Sequence, residues 1–310
     1  MQNTAMFAEY IGLCQFYEFI RYLYEKVSTS KKEYTEIGDG ITALVYKPLE
    51  QKCGKSNETV QVVIHGGGFI YGSPMTVAKF SENLCNALGH DVIALKYPLA
   101  PEEGFPKPLI YVTKAIKMLC KRYNEVHLLG VSAGANLALS TCLLLKDIGE
   151  KHVPTSLVLI GGPYSVDTGT WSYNMYGNGP KLTKFMICQY WSLYLQSNQM
   201  TSTQLFNKRF QLEGNKTVSS LHELLEQSDV YLAYSAPLNS SWIFNLPKTV
   251  ILVAKEDTLY SDSIALHRKL RNEKSEVLLK VYPGPHIHLA EENGTVQKDV
   301  IRIIRKNIHN

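Results

Sequence analysis

Leu128-Leu129-Gly130-Val131-Ser132-Ala133-Gly134-Ala135-Asn136-Leu137-Ala138-Leu139 decides how this chain folds. The apolar run Val126 to Leu129 reads as a buried strand, and Ala135 to Lys146 reads as a helix. Between them, Gly130-Val131-Ser132-Ala133-Gly134 must reverse the chain within a few residues. A turn that tight brings side chains two positions either side of the serine into collision, and glycine occupies both places. The expected result is a serine hydroxyl raised above the carboxyl end of a strand, with the Ala133 N–H aimed at the same point. A Gly-x-Ser-x-Gly pattern alone also fits an ordinary strand-to-helix turn without chemistry, so its surroundings matter.

Outward from this turn, strands and helices alternate. On the amino-terminal side, Val60 to Ile64 is a short β-branched run ending in His65-Gly66-Gly67-Gly68-Phe69. Pro74 to Leu88 suits a helix, Val92 to Tyr97 a strand, and Leu109 to Tyr123 a helix. Earlier still, Glu33 to Ile37 and Thr42 to Tyr46 flank Gly38-Asp39-Gly40 as an edge hairpin. On the carboxyl-terminal side, Ser156 to Ile160 is a strand, and the rhythm then stops from Tyr164 to Leu246. That segment is dense in Trp, Tyr and Phe, which argues against a linker and for a helical excursion over the sheet. The rhythm resumes with the strand Thr249 to Ala254, a helix from Asp262 to Asn272, the strand Val277 to Tyr282 and a helix from Thr295 to Ile308. Such alternation predicts an α/β fold with a mostly parallel sheet covered by helices on both faces. Ligands of such sheets bind beyond the carboxyl ends of the strands.

Composition narrows the function. The chain has 310 residues, 45% apolar and 19% charged, enough for a sizeable core. The net charge is +4 and the basic residues are scattered, with no Lys/Arg block interleaved with aromatics, which argues against a nucleic-acid partner. Cys14, Cys53, Cys85, Cys120, Cys142 and Cys188 stand far apart and form no Cys-x-x-Cys pair, so they read as ordinary buried thiols. Ala5 to Tyr24 is apolar and aromatic but interrupted by Glu9, Glu18 and Arg21; it reads as an amphipathic helix rather than a secretory signal. No run approaches the ~20 apolar residues that span a bilayer. An intracellular, cytoplasmic protein is the expectation. Met6, Phe7, Tyr10, Ile11, Leu13, Cys14, Phe16, Tyr17, Phe19, Ile20 and Leu23 are too many apolar groups for one helical stripe. The surplus points to a second apolar contact for this helix, with the substrate or with a membrane surface.

A serine hydroxyl needs a base and a group that orients the base. Of the nine histidines, only His286 and His288 follow the last strand, in Tyr282-Pro283-Gly284-Pro285-His286-Ile287-His288. Of the others, His65 stands at the head of the glycine run after Val60 to Ile64, and the rest lie within strands, on helices, before strands or in the aromatic insert. A metal pair is the competing reading, but no third ligand stands at a sensible spacing; His222-Glu223-Leu224-Leu225-Glu226 lacks the second histidine of a zinc helix. For the acid, Glu256, Asp257 and Asp262 all follow the strand Val250 to Ala254, with Asp262 also suited to cap the next helix. His65-Gly66-Gly67-Gly68 supplies consecutive glycines whose N–H groups can point at a developing oxyanion. A phosphate loop is the rival there, yet no Gly-Lys-Ser/Thr follows. Neither a metal nor another cofactor is expected.

Together, His65-Gly66-Gly67-Gly68-Phe69, Tyr97-Pro98-Leu99-Ala100-Pro101-Glu102, Gly130-Val131-Ser132-Ala133-Gly134-Ala135-Asn136, Asp257-Thr258-Leu259 and Pro285-His286 resemble the hormone-sensitive-lipase branch of the α/β-hydrolases. The resemblance runs from about Val60 to Leu289 and departs from the usual pattern at Lys96, Pro98 and Ile287-His288. It implies an α/β-hydrolase fold as one domain over residues 1–310, with a lid from residues 1–30 and the insert at 164–246. It also implies Ser132 as nucleophile, His286 as base, Asp257 as orienting acid, and Gly67, Gly68 and Ala133 as oxyanion donors. The activity implied is hydrolysis of a small apolar carboxylic ester, deacetylation included. Two other readings stay open at this point: amide, N-formyl or peptide hydrolysis by the same groups, and a small-molecule receptor that uses the pocket without turnover.

Overall fold

Val60, Gln61, Val62, Val63 and Ile64 are all buried, which is why their run shows no alternation of polar and apolar residues. A strand covered on both faces has no reason to alternate. In the computed structural model this run is β3 (Thr59–Ile64), flanked by β4 (Asp91–Leu95) and β5 (Glu125–Val131), both parallel to it. The structure describes residues 15–22, 33–49, 58–179, 181–195, 228–240, 243, 245–286 and 294–308. Within these, β1 (Thr35–Gly38), β2 (Ile41–Tyr46), β6 (Ser156–Ile160), β7 (Lys248–Ala254) and β8 (Val277–Tyr282) complete an eight-stranded sheet of order β1-β2-β4-β3-β5-β6-β7-β8. Only the β1–β2 and β2–β4 pairings are antiparallel. The chain runs from β3 outward to β4, then crosses back to β5 on the other side. That reversal opens a crevice between the carboxyl ends of β3 and β5, where an open α/β sheet receives its ligand.

Two hydrophobic layers sandwich the sheet. On one face lie α3 (Lys107–Arg122), α4 (Ala133–Asp147) and α8 (Tyr260–Asn272), packing Leu109, Val112, Leu139, Leu266 and Leu270 against β3, β5 and β7. On the other lie α2 (Ala78–Leu88) and α9 (Thr295–Ile308), which contribute Phe80, Leu84, Val300 and Ile304. α2 buries one stripe and stops at Gly89, whose φ of 71° gives a left-handed cap with its N–H on Cys85 O. α4 differs, because every residue from Ala133 to Leu145 is buried. A helix apolar all round belongs in a core, and this one starts at the serine turn.

The elements expected from sequence are present, with informative shifts. β4 ends at Leu95 rather than Tyr97, because Tyr97 turns out of the strand and stacks on His65 at 4.2 Å. The expected helix from Pro74 begins with a 3-10 turn, Pro74–Val77, and Ser73 Oγ accepts the Met75 N–H. Residues 15–22 are helical and are called α1; most of the apolar surplus noted at the amino terminus lies outside the described residues. The insert contributes α5 (Trp171–Tyr176), α6 (Lys184–Tyr194) and α7 (Ser228–Ser235). Cys85, Cys120 and Cys142 are buried and Cys188 is half-buried, and none of these four forms a disulfide among the described residues; Cys14 and Cys53 lie outside the described residues. Burial pushes the Cys120 thiol up to about 12. No helix among the described residues is long and apolar enough to cross a membrane.

Candidate active site

Ser132 has φ 53° and ψ −119°, a backbone conformation that a residue with a Cβ rarely adopts. Three backbone hydrogen bonds hold it there: Ser132 N–H to Ile160 O at 2.7 Å, Ala135 N–H to Ser132 O at 2.8 Å, and Asn136 N–H to the same oxygen at 3.4 Å. The flanking glycines are required by contact. A Cβ on Gly130 would stand 2.3 Å from Gly134 O, and one on Gly134 would stand 2.2 Å from Ile64 O. Those two positions let β5 turn directly into α4 while pressed against the end of β3. Asn136, quoted in the motif without a role, is fully buried, and its Nδ2 donates to Pro163 O and Ser235 O, both at 2.8 Å. It ties the start of α4 to the loop after β6 and to α7.

The loop after β3 lies against this turn. A Cβ on Gly66 would fall 3.0 Å from Ser132 Cβ, so the glycine run lets the two motifs touch. Gly67 and Gly68 have φ of 118° and 62°. The N–H groups of Gly67, Gly68 and Ala133 donate to no backbone carbonyl among the described residues. His65 anchors the loop beneath: Nδ1 meets Gly66 O at 2.8 Å, and the Tyr97 hydroxyl donates to His65 O at 3.0 Å. Burial lowers the His65 imidazole to about 4, so it is neutral and structural near pH 7.

His286 and Asp257, separated by the whole of α8 and β8 in sequence, meet at 2.7 Å through His286 Nδ1 and Asp257 Oδ2. Asp257 is fully buried, and its other oxygen accepts the Leu259 N–H at 2.9 Å. Gly161 connects this pair to the serine. It follows Ile160, whose carbonyl holds Ser132, and a Cβ on it would stand 3.2 Å from Asp257 Oδ2 and 3.4 Å from His286 Cε1. His288 and His222 lie outside the described residues.

Asp262 does something other than cap the following helix. α8 begins after Leu259, and Asp262 sits inside its first turn with Oδ2 accepting the N–H groups of Tyr164 and Ser165 at 2.8 and 3.0 Å. It holds the loop after β6. Burial raises its carboxyl to about 7 despite these two bonds. Glu256 is exposed and stays apart from the pair.

Above Ser132 is a small apolar cleft, open at its mouth, whose walls include Phe69, Pro163, Leu182, Ile187, Tyr190, Trp191 and Leu259. The insert thus supplies one side of it. Tyr190 lies directly on the glycine loop, since a Cβ on Gly68 would stand 2.3 Å from its ring. None of the lining comes from α1, which reaches the rim through Tyr17, packed on Tyr71 at 5.4 Å; Tyr71 in turn meets Tyr190 edge-on at 5.7 Å. Sequence reading missed Gly161, Tyr190 and the reach of Asp262. Only Gly161-Gly162-Pro163 at a strand end offered a signal.

The family model for the alpha/beta hydrolase fold matches residues 61–290. The chain belongs to the α/β-hydrolase family. Among relatives of this α/β-hydrolase, rabbit (Oryctolagus cuniculus) arylacetamide deacetylase is 25% identical over 323 residues, covering 89% of this chain and 81% of that protein. The acetyl esterase of Salmonella typhi is 24% identical over 257 residues, covering 81% of this chain and 69% of the other. Among solved structures, a hyperthermophilic esterase from the archaeon Pyrobaculum calidifontis superposes with a TM-score of 0.74 at 23% identity, covering 96% of this chain and 95% of that one.

Proposed function

We propose that this α/β-hydrolase cleaves small, uncharged carboxylic esters through a Ser132–His286–Asp257 triad. The observation that carries the reading is the buried 2.7 Å contact between His286 Nδ1 and Asp257 Oδ2, which packs on Gly161, the residue after the Ile160 carbonyl that holds the strained Ser132 turn. With Nδ1 committed to Asp257, His286 Nε2 is the nitrogen left to take the Ser132 proton. Ser132 Oγ then attacks the ester carbonyl, and the N–H groups of Gly67, Gly68 and Ala133 receive the oxyanion. His286 returns the proton to the departing alcohol, and a water repeats the sequence on the acyl-enzyme. Asp257 holds the imidazole tautomer, its second oxygen being occupied by Leu259 N–H. Among the described residues the cleft wall carries no charged side chain, which favours a neutral acyl or alcohol group over a charged one. The name of the bacterial acetyl esterase supports an acetyl ester as substrate, and that of the rabbit arylacetamide deacetylase supports removal of an acetyl group.

The test is direct. A fluorophosphonate is expected to label Ser132 stoichiometrically, and p-nitrophenyl acetate to give a burst of one p-nitrophenol per site. Labelling of another serine sinks the assignment; absence of a burst favours a receptor. A matched ester and anilide pair then separates ester from amide cleavage. Lipid contact by α1 is supported by the exposure of Phe16, Phe19 and Tyr22 on that helix. Flotation with phosphatidylcholine vesicles, lost in Phe16→Ser/Phe19→Ser, is the corresponding check; equal flotation of both proteins removes the idea.

A further inference from the structure

Arg21 interrupts the apolar run of α1, and the structure gives that interruption a purpose. Its Nε donates to Ile70 O at 2.7 Å, and its Nη2 donates to Ala100 O at 2.5 Å and to Glu102 Oε2 at 2.9 Å. One guanidinium therefore joins α1 to the loop after β3 and to the loop after β4. Its side chain is only 19% exposed. Ile70 is fully buried and follows Gly67-Gly68-Phe69 directly.

We infer that Arg21 is a positioning residue that sets the direction of the Gly68 N–H, and hence that α1 belongs to the catalytic apparatus rather than to a removable cover. The inference rests on the ester-hydrolase reading above. A peptide unit is planar, so fixing the carbonyl of one residue fixes the N–H of the next. Arg21 pins the Ile70 carbonyl, which orients the Tyr71 N–H within the same plane. Tyr71 N–H donates to Gly67 O at 2.8 Å, with Ile70 N–H on the same oxygen at 3.1 Å. The Gly67 carbonyl shares its plane with the Gly68 N–H, one of the proposed oxyanion donors. Two peptide planes thus connect the guanidinium to the oxyanion site. Between them, Ala100 N–H holds Phe69 O at 2.9 Å, and Arg21 holds the Ala100 carbonyl. The glycines need this external hold because they supply no side chain to fix their own orientation.

A lysine cannot reproduce the contact. Its ammonium is a point charge without the planar fork that reaches two carbonyls and a carboxylate together. The experiment measures kcat and KM of Arg21→Ala and Arg21→Lys on p-nitrophenyl acetate, per site titrated with fluorophosphonate, alongside inhibition by phenylboronic acid, whose adduct on Ser132 uses the oxyanion donors. Titration removes unfolded protein from the comparison. Removing an oxyanion donor outright costs about 10² to 10³ in kcat, so mis-aiming one is expected to cost about tenfold. The expected result for Arg21→Ala is a tenfold fall in kcat and a matching loss of boronate affinity, with KM within threefold; Arg21→Lys falls between it and the parent. Should Arg21→Ala not fold, Arg21→Lys carries the test, with parallel losses in kcat and boronate affinity of about threefold expected. The proposal is overturned if kcat and boronate affinity stay within twofold of the parent, or if KM alone rises. A missing burst in the parent overturns the ester-hydrolase reading and the clamp with it, whereas a normal parent burst with an unaffected variant overturns the clamp alone.

Discussion

A Cβ on Gly161 would lie 3.2 Å from the Asp257 carboxylate, so the residue after β6 sets how closely the loop can press on the buried acid. Its φ of 53° adds backbone strain to any replacement. Gly161→Ala is therefore expected to push the Asp257–His286 pair apart and to lower kcat by about 10² or more, in the range seen when a base is mis-set. Steady-state kinetics on a short ester with fluorophosphonate titration check this. Parent-like kcat means that the loop yields and the contact is incidental.

Asp257 and Asp262 are both buried carboxylates after β7, but only Asp257 touches a histidine. Asp257→Asn is expected to lower kcat by about 10⁴, because the amide favours the wrong imidazole tautomer. Asp262→Asn is expected to stay within tenfold, since an amide oxygen can still accept from Tyr164 and Ser165. His286→Ala should remove the burst. Equal losses in the two aspartate variants count against the assignment.

Stability should depend on pH in two opposed ways. His65 is neutral in the fold down to about 4, while the unfolded chain takes up a proton near 6.5. Its contribution is complete above pH 6.5 and is lost as pH falls toward 4, by up to about 3 kcal/mol. Asp262 keeps its proton in the fold up to about 7, while the unfolded chain loses it near 3.8. Its contribution is greatest below pH 4 and is lost as pH rises toward 7, by up to about 4 kcal/mol. Asp262→Asn removes the second effect alone. Relative to the parent, it is expected to gain stability between pH 5 and pH 8 in urea unfolding; a constant difference across that range refutes the shift.

Chain-length preference is expected to be set at Tyr190, because the insert and not α1 lines the cleft. Tyr190→Ala opens space over Gly68 and should raise kcat/KM for hexanoate relative to acetate esters. Each added methylene that finds apolar contact is worth about 0.8 kcal/mol, close to fourfold. An unchanged acetate-to-hexanoate ratio in this variant means the acyl chain lies elsewhere.

The sequence by itself determined the order of strands and helices, down to the bounds of Ser156–Ile160, Val277–Tyr282 and Thr295–Ile308. It also located the two glycine motifs at strand ends. Both are local demands: side-chain periodicity follows the burial of each element, and glycine spacing follows a backbone turn that no Cβ can enter. What it left open were choices among like residues: Glu256, Asp257 or Asp262 for the acid, His286 or His288 for the base. The fold brought His286 onto Asp257 across 29 positions, sent Asp262 back 98 positions to Tyr164, and carried Arg21 forward 49 positions to Ile70. Such contacts have no period and no spacing rule. Tyr190 reads as one aromatic among many until α6 lies across Gly68. Only the tertiary structure decides these pairings, because each depends on the direction of a loop carbonyl or a side chain after the sheet has closed.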